Sequence, residues 1–366
     1  MTTNGDPYES LVGKLGFLGS GLLSTILEAL MTPQQAQMAD CLPGTVADIA
    51  KKTDCTKDEV RRALDDLFRK GVVFPKGDFE NREYYRFARH IMQLHDAVQA
   101  SANLDVVKDR GFFQLWHDFC VEEMYPRYGA LFKGMQTRLT RVVPAHNAIK
   151  DLPDVLPCED YHEILRSQEL IAVVPCSCRL RAAAVGEKCE HTHEVETWHC
   201  LQFGRGAEYA INRGSGRKLT LSEAIALCDQ IEDDGLIHRW ANKADMTGVN
   251  TSCNCCRDCC EEFVSLDMAG IPTADWWEKS RYIAYVDDVE SCNGCGDCVE
   301  RCQFDAIAVT EDALGEFKAG IDAEKCFGCG ACVVGCPYES LKMRAVRSPE
   351  FIHGAVPFEQ DAHIFQ

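Results

Sequence analysis

The sequence predicts an α+β protein of several domains: a helical N-terminal domain, a central cysteine-rich α/β body and a small cysteine-rich C-terminal domain. Three observations support this fold class. The 366 residues exceed one ordinary domain and can form more than one hydrophobic core. Apolar residues recur at helical spacing near the N-terminus. Most of the 22 cysteines fall into two dense groups, one in the middle of the chain and one near its end.

Prolines and changes in composition along the chain predict the domain boundaries. Pro144, Pro153 and Pro157 mark a linker into the central body. The predicted units are an N-terminal domain at 1–100, a helical connector at 101–156, the central body at 157–278, the C-terminal cysteine domain at 279–346 and a tail at 347–366.

The charge balance limits the partners that the chain can bind. Its 38 basic and 57 acidic residues give a formal net charge of −19, which repels nucleic acid and anionic membranes and suits a basic patch on a partner. Simple solubility is the alternative explanation. Because no run of 18 apolar residues occurs, we expect no membrane span. The absence of secretion-signal features near Met1 and the metal-ligand spacing of the thiols predict a reducing cytoplasm, in an organism that handles oxygen-sensitive metal clusters.

The N-terminal domain is predicted to consist of short helices and a strand ribbon. In order, its elements are a helix from Leu11 to Leu30, a helix opened by Pro33, a helix capped by Thr45, a helix at about 57–70, and strands at 72–74 and 84–87. The first helix contains four glycines, but they do not follow the G-x-G-x-x-G order of a dinucleotide-binding loop. We therefore expect no nucleotide-binding role for this helix.

This order of elements resembles a winged helix-turn-helix domain, in which the third helix enters the DNA major groove. The corresponding helix of this chain mixes both signs of charge, which is unfavourable for groove binding. Its charged residues are Lys57, Arg61, Arg62, Arg69 and Lys70 beside Asp58, Glu59, Asp65 and Asp66. We therefore expect a packing or dimerisation module, with DNA binding as the alternative.

Two copies of one thiol motif lie in tandem near the C-terminus. They are Cys292-x2-Cys295-x2-Cys298-x3-Cys302 and Cys326-x2-Cys329-x2-Cys332-x3-Cys336-Pro337. This spacing places three thiolates around one 4Fe-4S cube and sends the fourth to the other cube. The predicted ligands are Cys292, Cys295, Cys298 and Cys336 for cluster 1, and Cys326, Cys329, Cys332 and Cys302 for cluster 2. Zinc sites or disulfides are the alternative, although structural zinc prefers separated cysteine pairs.

The tandem motif, from about Tyr282 to Met343, resembles bacterial-type two-cluster ferredoxins. One departure is Gln303, which stands where the second copy has Pro337 but removes no ligand. The resemblance implies single-electron transfer. Because each cube has four protein thiolates, no iron is left open for a substrate, and any chemistry must occur in the central body or on a partner.

The central body holds nine candidate ligands of an additional iron-sulfur or zinc centre. Five thiols within eight residues cannot all face one hydrophobic core, so some must bind a soft metal. The candidates are Cys176, Cys178, Cys189, Cys200, Cys253, Cys255, Cys256, Cys259 and Cys260. Nine thiolates could bind two further 4Fe-4S clusters with one thiol left over, one larger non-cubane cluster, or one iron-sulfur cluster beside a zinc ion. We favour at least one additional iron-sulfur centre.

Three histidines lie among these thiols. The three residues could bind a metal or donate protons: His191, His193 and His199. A solvated, charged loop is the alternative, because the spacing of these histidines matches no known closed metal site.

The whole arrangement resembles a family of iron-sulfur proteins from anaerobes. The resemblance rests on Pro175-Cys176-Ser177-Cys178-Arg179 and on Cys253-Asn254-Cys255-Cys256, together with the winged-helix start and the ferredoxin end. This resemblance implies redox chemistry at iron-sulfur clusters and does not indicate a particular substrate.

These observations predict an electron-transfer protein or subunit that relays low-potential electrons through two 4Fe-4S clusters and a central cluster to a partner reductase. The alternatives are an oxidoreductase with its own substrate site at the central cluster and a redox-sensing winged-helix regulator. No flavin or nicotinamide motif occurs, and the acidic balance argues against the regulator. The expected partner is a redox protein, either reductase or electron donor, and the chain could form a homodimer or join a larger complex. No catalytic residue is predicted.

Overall fold

The computed structural model describes residues 5–101, 104–133, 138–187, 189 and 198–354. Helices and four sheets in these ranges form a mixed α/β architecture, as the sequence predicts. None of the helices in these ranges is long and apolar enough to cross a membrane. The predictions for His191, His193 and the end of the tail lie outside the described residues.

The N-terminal region contains five helices and a three-stranded antiparallel sheet with strand order β1-β3-β2. Thr32, Thr45 and Thr56 each begin a helix with a capping box, in which the threonine and the third helical residue satisfy each other's backbone N–H groups. The elements are α1 (Pro7–Lys14), α2 (Gly21–Leu30), α3 (Pro33–Asp40), β1 (Gly44–Thr45), α4 (Val46–Thr53), α5 (Lys57–Arg69), β2 (Val73–Lys76) and β3 (Tyr84–Phe87).

The predicted continuous helix from Leu11 to Leu30 is wrong, because the structure divides it into α1 and α2. Gly16 and Gly19 lie between the two helices with φ of 85° and 86°. This left-handed backbone, accessible to glycine at little cost, ends the first helix.

The aromatic residues after this region complete its core. Trp116 and Phe119 are fully buried in the same hydrophobic cluster as the side chains of α1–α5. The helices of this segment are α6 (Ile91–Gln99), α7 (Arg110–Phe119) and α8 (Tyr125–Phe132), with a π-helical turn at Cys120–Met124 between the last two.

The central region is built on a seven-stranded sheet with strand order β10-β4-β8-β9-β6-β5-β7. Neighbouring strands are antiparallel except β10 and β4, which are parallel. Its strands are β4 (Thr140–Val143), β5 (Ile171–Val174), β6 (Cys200–Phe203), β7 (Arg217–Leu219), β8 (Ile237–Ala241), β9 (Thr251–Cys255) and β10 (Trp277–Glu278). Strand β4 comes from the segment that the sequence assigns to the connector.

Seven helices connect or cover this sheet. They are α9 (His146–Ile149), α10 (Tyr161–Arg166), α11 (Ser177–Val185), α12 (Gly204–Arg213), α13 (Leu221–Asp233), α14 (Glu261–Ala269) and α15 (Thr273–Trp276), with a 3-10 turn at Pro157–Glu159. Helix α13 begins with a capping box formed by Thr220 and Glu223.

The N-terminal sheet packs against the central region through α12. Arg205 and Tyr209 both donate hydrogen bonds to the carbonyl of Pro75 on β2, at 3.0 and 2.9 Å. Arg213 donates to the carbonyl of Phe68, at 2.9 Å. The strand ribbon is therefore in contact with the rest of the protein.

The C-terminal region consists of two antiparallel strand pairs and two short helices. Its Arg301 donates to the carbonyls of Glu232 and Asp233 at the end of α13, and its Arg281 forms a buried ion pair with Glu159 at 2.7 Å. The elements are β11 (Tyr282–Val286), α16 (Asp297–Glu300), β12 (Ile307–Glu311), β13 (Phe317–Ile321), α17 (Ala331–Val334), β14 (Leu341–Ala345) and a 3-10 turn at Pro349–Phe351.

Candidate metal centres

Four of the C-terminal thiols surround one pocket. This pocket is lined by the predicted cluster 1 ligands Cys292, Cys295, Cys298 and Cys336. Cys336 belongs to the second copy of the motif, so the fold carries it across to the thiols of the first copy. Burial, followed by the charges of the other three thiols, raises the pKa of Cys298 to about 11. The four side chains therefore form one group.

The second quartet of thiols is also assembled from both copies. Cys332 is influenced electrostatically by Cys329, Cys326 and Cys302, and Cys302 comes from the first copy. Backbone N–H groups point at thiols in both quartets: the Ala306 N–H donates to Cys302 Sγ at 3.3 Å, and the Ala319 N–H donates to Cys292 Sγ at 3.4 Å. Such bonds stabilise thiolates and tune the potential of a cluster that they bind.

Glycine allows the second thiol loop to lie close to β11. Gly328 has a φ of 69°, and a Cβ there would overlap the Ser280 hydroxyl and the Tyr282 carbonyl. The corresponding Gly294 of the first copy approaches the Phe317 backbone in the same way. A larger residue would push either loop away from its neighbouring strand.

We expect Gly328→Ala to lower the iron content of the protein, because the displaced loop carries Cys326 and Cys329. The matched control is Gly315→Ala in the β12–β13 turn, where φ is 80° and the nearest atom to a new Cβ is Glu311 Oε1 at 3.6 Å. Both changes carry the backbone cost of a left-handed alanine, about 1 kcal/mol, but only Gly328→Ala adds an overlap. Equal iron content in the two variants, measured after anaerobic purification, would contradict this explanation.

The order of the sheet explains how distant cysteines meet in the central region. Strands β5, β6 and β9 are neighbours, with Val174 opposite Cys200 and Leu201 opposite Ser252. The end of β5, the start of β6 and the end of β9 therefore share one edge. Cys253 and Cys255 are two residues apart on β9 and point to the same face. Cys176, just after β5, and Cys260, just before α14, complete the edge.

Six of the nine central candidates form a closed ring of side-chain contacts, which we call the thiol ring. Each member interacts with two others, and the Cys255 and Cys260 sulfurs are 3.5 Å apart. The order around the ring is Cys176, Cys178, Cys260, Cys255, Cys253, Cys200 and back to Cys176. The structure thus brings together thiols from four separate segments of the chain.

The remaining three candidates lie apart from the ring in what we call the thiol triad. Cys189 Sγ is 3.8 Å from Cys256 Sγ, which is 3.0 Å from Cys259 Sγ. The ligand atoms of these three residues and of Asp258 all lie within 4.8 Å of one another.

Positive groups surround both sets of thiols. Arg239 Nη2 donates to Cys253 Sγ at 3.0 Å, and Arg179 Nη2 donates to Cys256 Sγ at 3.5 Å. Helices α11 and α14 begin at Cys176 and Cys260, so their positive ends face the ring. These groups compensate the charge of thiolates and of an anionic metal cluster.

His199 is oriented by Arg179 and does not belong to the thiol triad. Its Nδ1 lies 2.9 Å from Arg179 Nη1. Burial and the charge of Arg179 lower the pKa of His199 to about 4. This imidazole is therefore neutral at pH 7 and accepts the hydrogen bond from the guanidinium.

A buried network fixes the start of α14 behind the thiol ring. Glu261, next to Cys260, contacts His95 at 2.8 Å and Arg181 at 2.9 Å. Although burial opposes ionisation, His95 and then Arg181 lower the pKa of Glu261 to about 2. Because His95 lies on α6, the N-terminal region helps to position a thiol of the ring.

Sequence reasoning missed these supporting residues. The sequence singles out Arg179 only as the last residue of the Pro175–Arg179 motif. Arg239 and Glu261 belong to no motif, so their positions in the sequence do not indicate a role at the thiols. Nothing in the sequence alone could show the contacts of these three residues, because each contact depends on strand register or helix packing.

Two thiols of the cluster 2 set and three thiols of the ring belong to one hydrophobic cluster. Phe304 and Phe327 stack with centroids 4.1 Å apart, and Phe304 also packs on Phe263. The same cluster includes Cys302 and Cys329 from the C-terminal region and Cys253, Cys255 and Cys260 from the ring. One packed hydrophobic cluster therefore connects the two thiol groups.

Comparison with known proteins identifies part of the chain. Residues 291–340 match the 4Fe-4S dicluster domain family. No curated protein matches the chain, and no solved structure matches it. The C-terminal region is thus a ferredoxin-type domain, which indicates iron-sulfur electron transfer.

Proposed function

We propose that this chain is an electron-transfer protein or subunit that relays low-potential single electrons to a partner reductase. The relay comprises the two clusters of the dicluster domain and a further iron-sulfur centre at the thiol ring. One observation carries the proposal: a single hydrophobic cluster includes Cys302 and Cys329 together with Cys253, Cys255 and Cys260. This shared cluster connects the thiol ring to the cluster 2 site without an intervening layer of solvent.

The arrangement of the C-terminal thiols supports the crossed ligand assignment. Cluster 1 would be held by Cys292, Cys295, Cys298 and Cys336, which line one pocket. Cluster 2 would be held by Cys326, Cys329, Cys332 and Cys302, which are electrostatic neighbours. The donor set fits 4Fe-4S clusters, because each quartet offers four thiols and backbone N–H groups donate to some of them. Such clusters supply one-electron redox chemistry.

The exposure of the thiols suggests where electrons enter. Cys295 of the cluster 1 set is exposed, whereas no described member of the cluster 2 set is. Asp297 and Tyr338 line the same pocket and are exposed. A redox partner with a basic patch would meet cluster 1 first, and the net charge of −19 favours such a partner.

For the N-terminal region we propose a winged-helix arrangement that serves as a packing module. Its helices followed by the β1-β3-β2 sheet have the expected order. Two basic residues of the candidate reading helix are already neutralised: Arg61 pairs with Glu83, and Lys70 pairs with Asp66. The contacts of Pro75 and Phe68 with α12 and of His95 with Glu261 support a packing role.

The metal content of anaerobically purified protein tests the proposal. The dicluster domain alone accounts for eight irons, and a further cluster at the thiol ring raises the content to about twelve or more, with matching sulfide. We expect stepwise reduction by a low-potential one-electron donor to give paramagnetic signals from both parts.

A matched pair of variants separates the two contributions. Cys255→Ser should remove the iron above eight and leave the signals of the dicluster domain. Cys41→Ser should change neither, because Cys41 packs on the N-terminal hydrophobic cluster, which includes none of the candidate metal ligands named above. A wild-type content of eight irons, unaffected by Cys255→Ser, would refute the central centre. A protein without iron would refute the whole relay.

A further inference from the structure

The thiol triad has dimensions that differ from those of the other thiol groups. Cys189, Cys256 and Cys259, with Asp258, place all four ligand atoms within 4.8 Å of one another. Among the described residues, no such compact group contains any of the eight C-terminal thiols or any member of the thiol ring. In a cubane each thiolate binds a different iron, which keeps the sulfurs apart. Cys255 and Cys260 of the ring lie 3.5 Å apart, but no three of the described ring thiols all come within 4.8 Å of one another, whereas the three thiols of the triad do.

The spacing of the triad fits one metal ion. A tetrahedral zinc with Zn–S bonds of about 2.3 Å separates its thiolates by about 3.8 Å. Cys189 and Cys256 are already 3.8 Å apart, and Cys256 and Cys259, at 3.0 Å, would need to separate slightly. Cys256-x2-Cys259 also has the spacing of a zinc-binding pair.

We propose that Cys189, Cys256, Cys259 and Asp258 bind a single soft divalent cation, with zinc as the preferred ion, separately from the thiol ring. Three thiolates and one carboxylate complete a four-coordinate site. Zinc has no redox chemistry under these conditions, so the ion holds structure and carries no electron. The proposal does not depend on the electron-transfer function.

The surroundings of the triad agree with a structural ion. Cys256 and Cys259 are buried and pack with Ala182, Ile231 and Leu236 in a small hydrophobic cluster. Arg179, donating to Cys256 Sγ at 3.5 Å, supplies positive charge to a site whose ligands carry more negative charge than the cation neutralises.

The position of the ion gives it a defined role. Cys189 follows α11, whose first turn contains Cys178, and the Cys256–Cys259 segment lies between Cys255 and Cys260. An ion at the triad would join these two segments of the chain and so fix the geometry of three ring thiols.

Metal analysis and cobalt substitution of the full chain test this site. Anaerobically purified protein should contain about one zinc per chain beside its iron. Cells grown with cobalt should yield protein with the intense sulfur-to-cobalt charge-transfer absorption of tetrahedral thiolate coordination. Both signals should be lost in Cys259→Ser, with the irons of the dicluster domain retained, and unchanged in Cys41→Ser.

A second variant guards against misfolding. Asp258 is only half-buried, so Asp258→Asn should fold and weaken zinc binding at least tenfold in chelator competition. Wild-type protein without zinc, or zinc content unchanged by Cys259→Ser, would overturn the proposal. So would the loss of about four irons in Asp258→Asn without a change in zinc, because the triad would then hold part of a cube.

Discussion

Replacing Cys329 by serine should abolish electron relay from cluster 1 to the central region while the N-terminal region stays folded. Cys329 belongs to the proposed cluster 2 set and lies in the hydrophobic cluster shared with the thiol ring. A serine hydroxyl is a poor iron ligand, so the cube would be lost or converted and the iron content would fall by up to about four. Anaerobic iron analysis and stopped-flow reduction of the central centre measure both effects.

The control and the folding measurement make this prediction specific. Cys41→Ser alters a half-buried thiol in the N-terminal region and should leave relay unchanged. Hydrogen exchange of α4 and α5 should be the same in wild type and Cys329→Ser, because the core of these helices includes no residue of the dicluster domain. Loss of protection there would show that the N-terminal and C-terminal regions do not fold independently.

We expect Glu232→Gln to lower stability at neutral pH by about 3 kcal/mol, the cost typical of breaking a buried charged network. Glu232 is almost fully buried and accepts hydrogen bonds from the backbone N–H groups of His146 and Asn147, at 2.6 and 3.0 Å. It also contacts His238 Nε2 at 3.3 Å. The glutamine amide would place a donor against these donors. The control variant is Glu169→Gln, on the exposed loop before β5. It also removes one negative charge, but it breaks none of the hydrogen bonds or ion pairs described above.

The pH dependence of this difference follows from the pKa of Glu232. Burial opposes ionisation, but His238 and then the backbone N–H groups lower the pKa of Glu232 to about 2. Since the unfolded value is about 4.3, the carboxylate stabilises the fold fully above about pH 4.3, and this contribution is lost as pH falls towards 2. Thermal melts of wild type and Glu232→Gln should therefore converge on acidification. A constant difference between the two melting temperatures would show that charge is not the cause.

Glu232 also connects the dicluster domain with the strand that carries two thiols of the ring. Its carbonyl accepts from Arg301 of the dicluster domain, and its carboxylate contacts His238, which lies 2.7 Å from Asn254 between two ring thiols. The same residue thus supports the interface on one side and the strand carrying Cys253 and Cys255 on the other. A destabilised Glu232→Gln protein should lose the central centre before it loses the clusters of the dicluster domain.

The sequence by itself determined the dicluster domain, because the ligands of each motif copy are close in the chain and their spacing encodes the loop that wraps a cluster. It also selected the nine central cysteines by their density, and the helix cap at Thr45 by local hydrogen-bond chemistry. In the N-terminal region the apolar spacing predicted the helices but not the break at Gly16 and Gly19, since periodicity does not report backbone handedness.

Only the tertiary structure decided how the nine central thiols divide into a ring of six and a triad with Asp258. That division depends on the register of β5, β6 and β9, which are separated by long stretches of chain but adjacent in the sheet. The contacts of Arg179, Arg239 and Glu261, and the packing of Cys302 and Cys329 near the ring, likewise arise from long-range packing. Spacing along the chain fixes only which thiols can share a local loop, whereas the sheet and the core determine which loops meet.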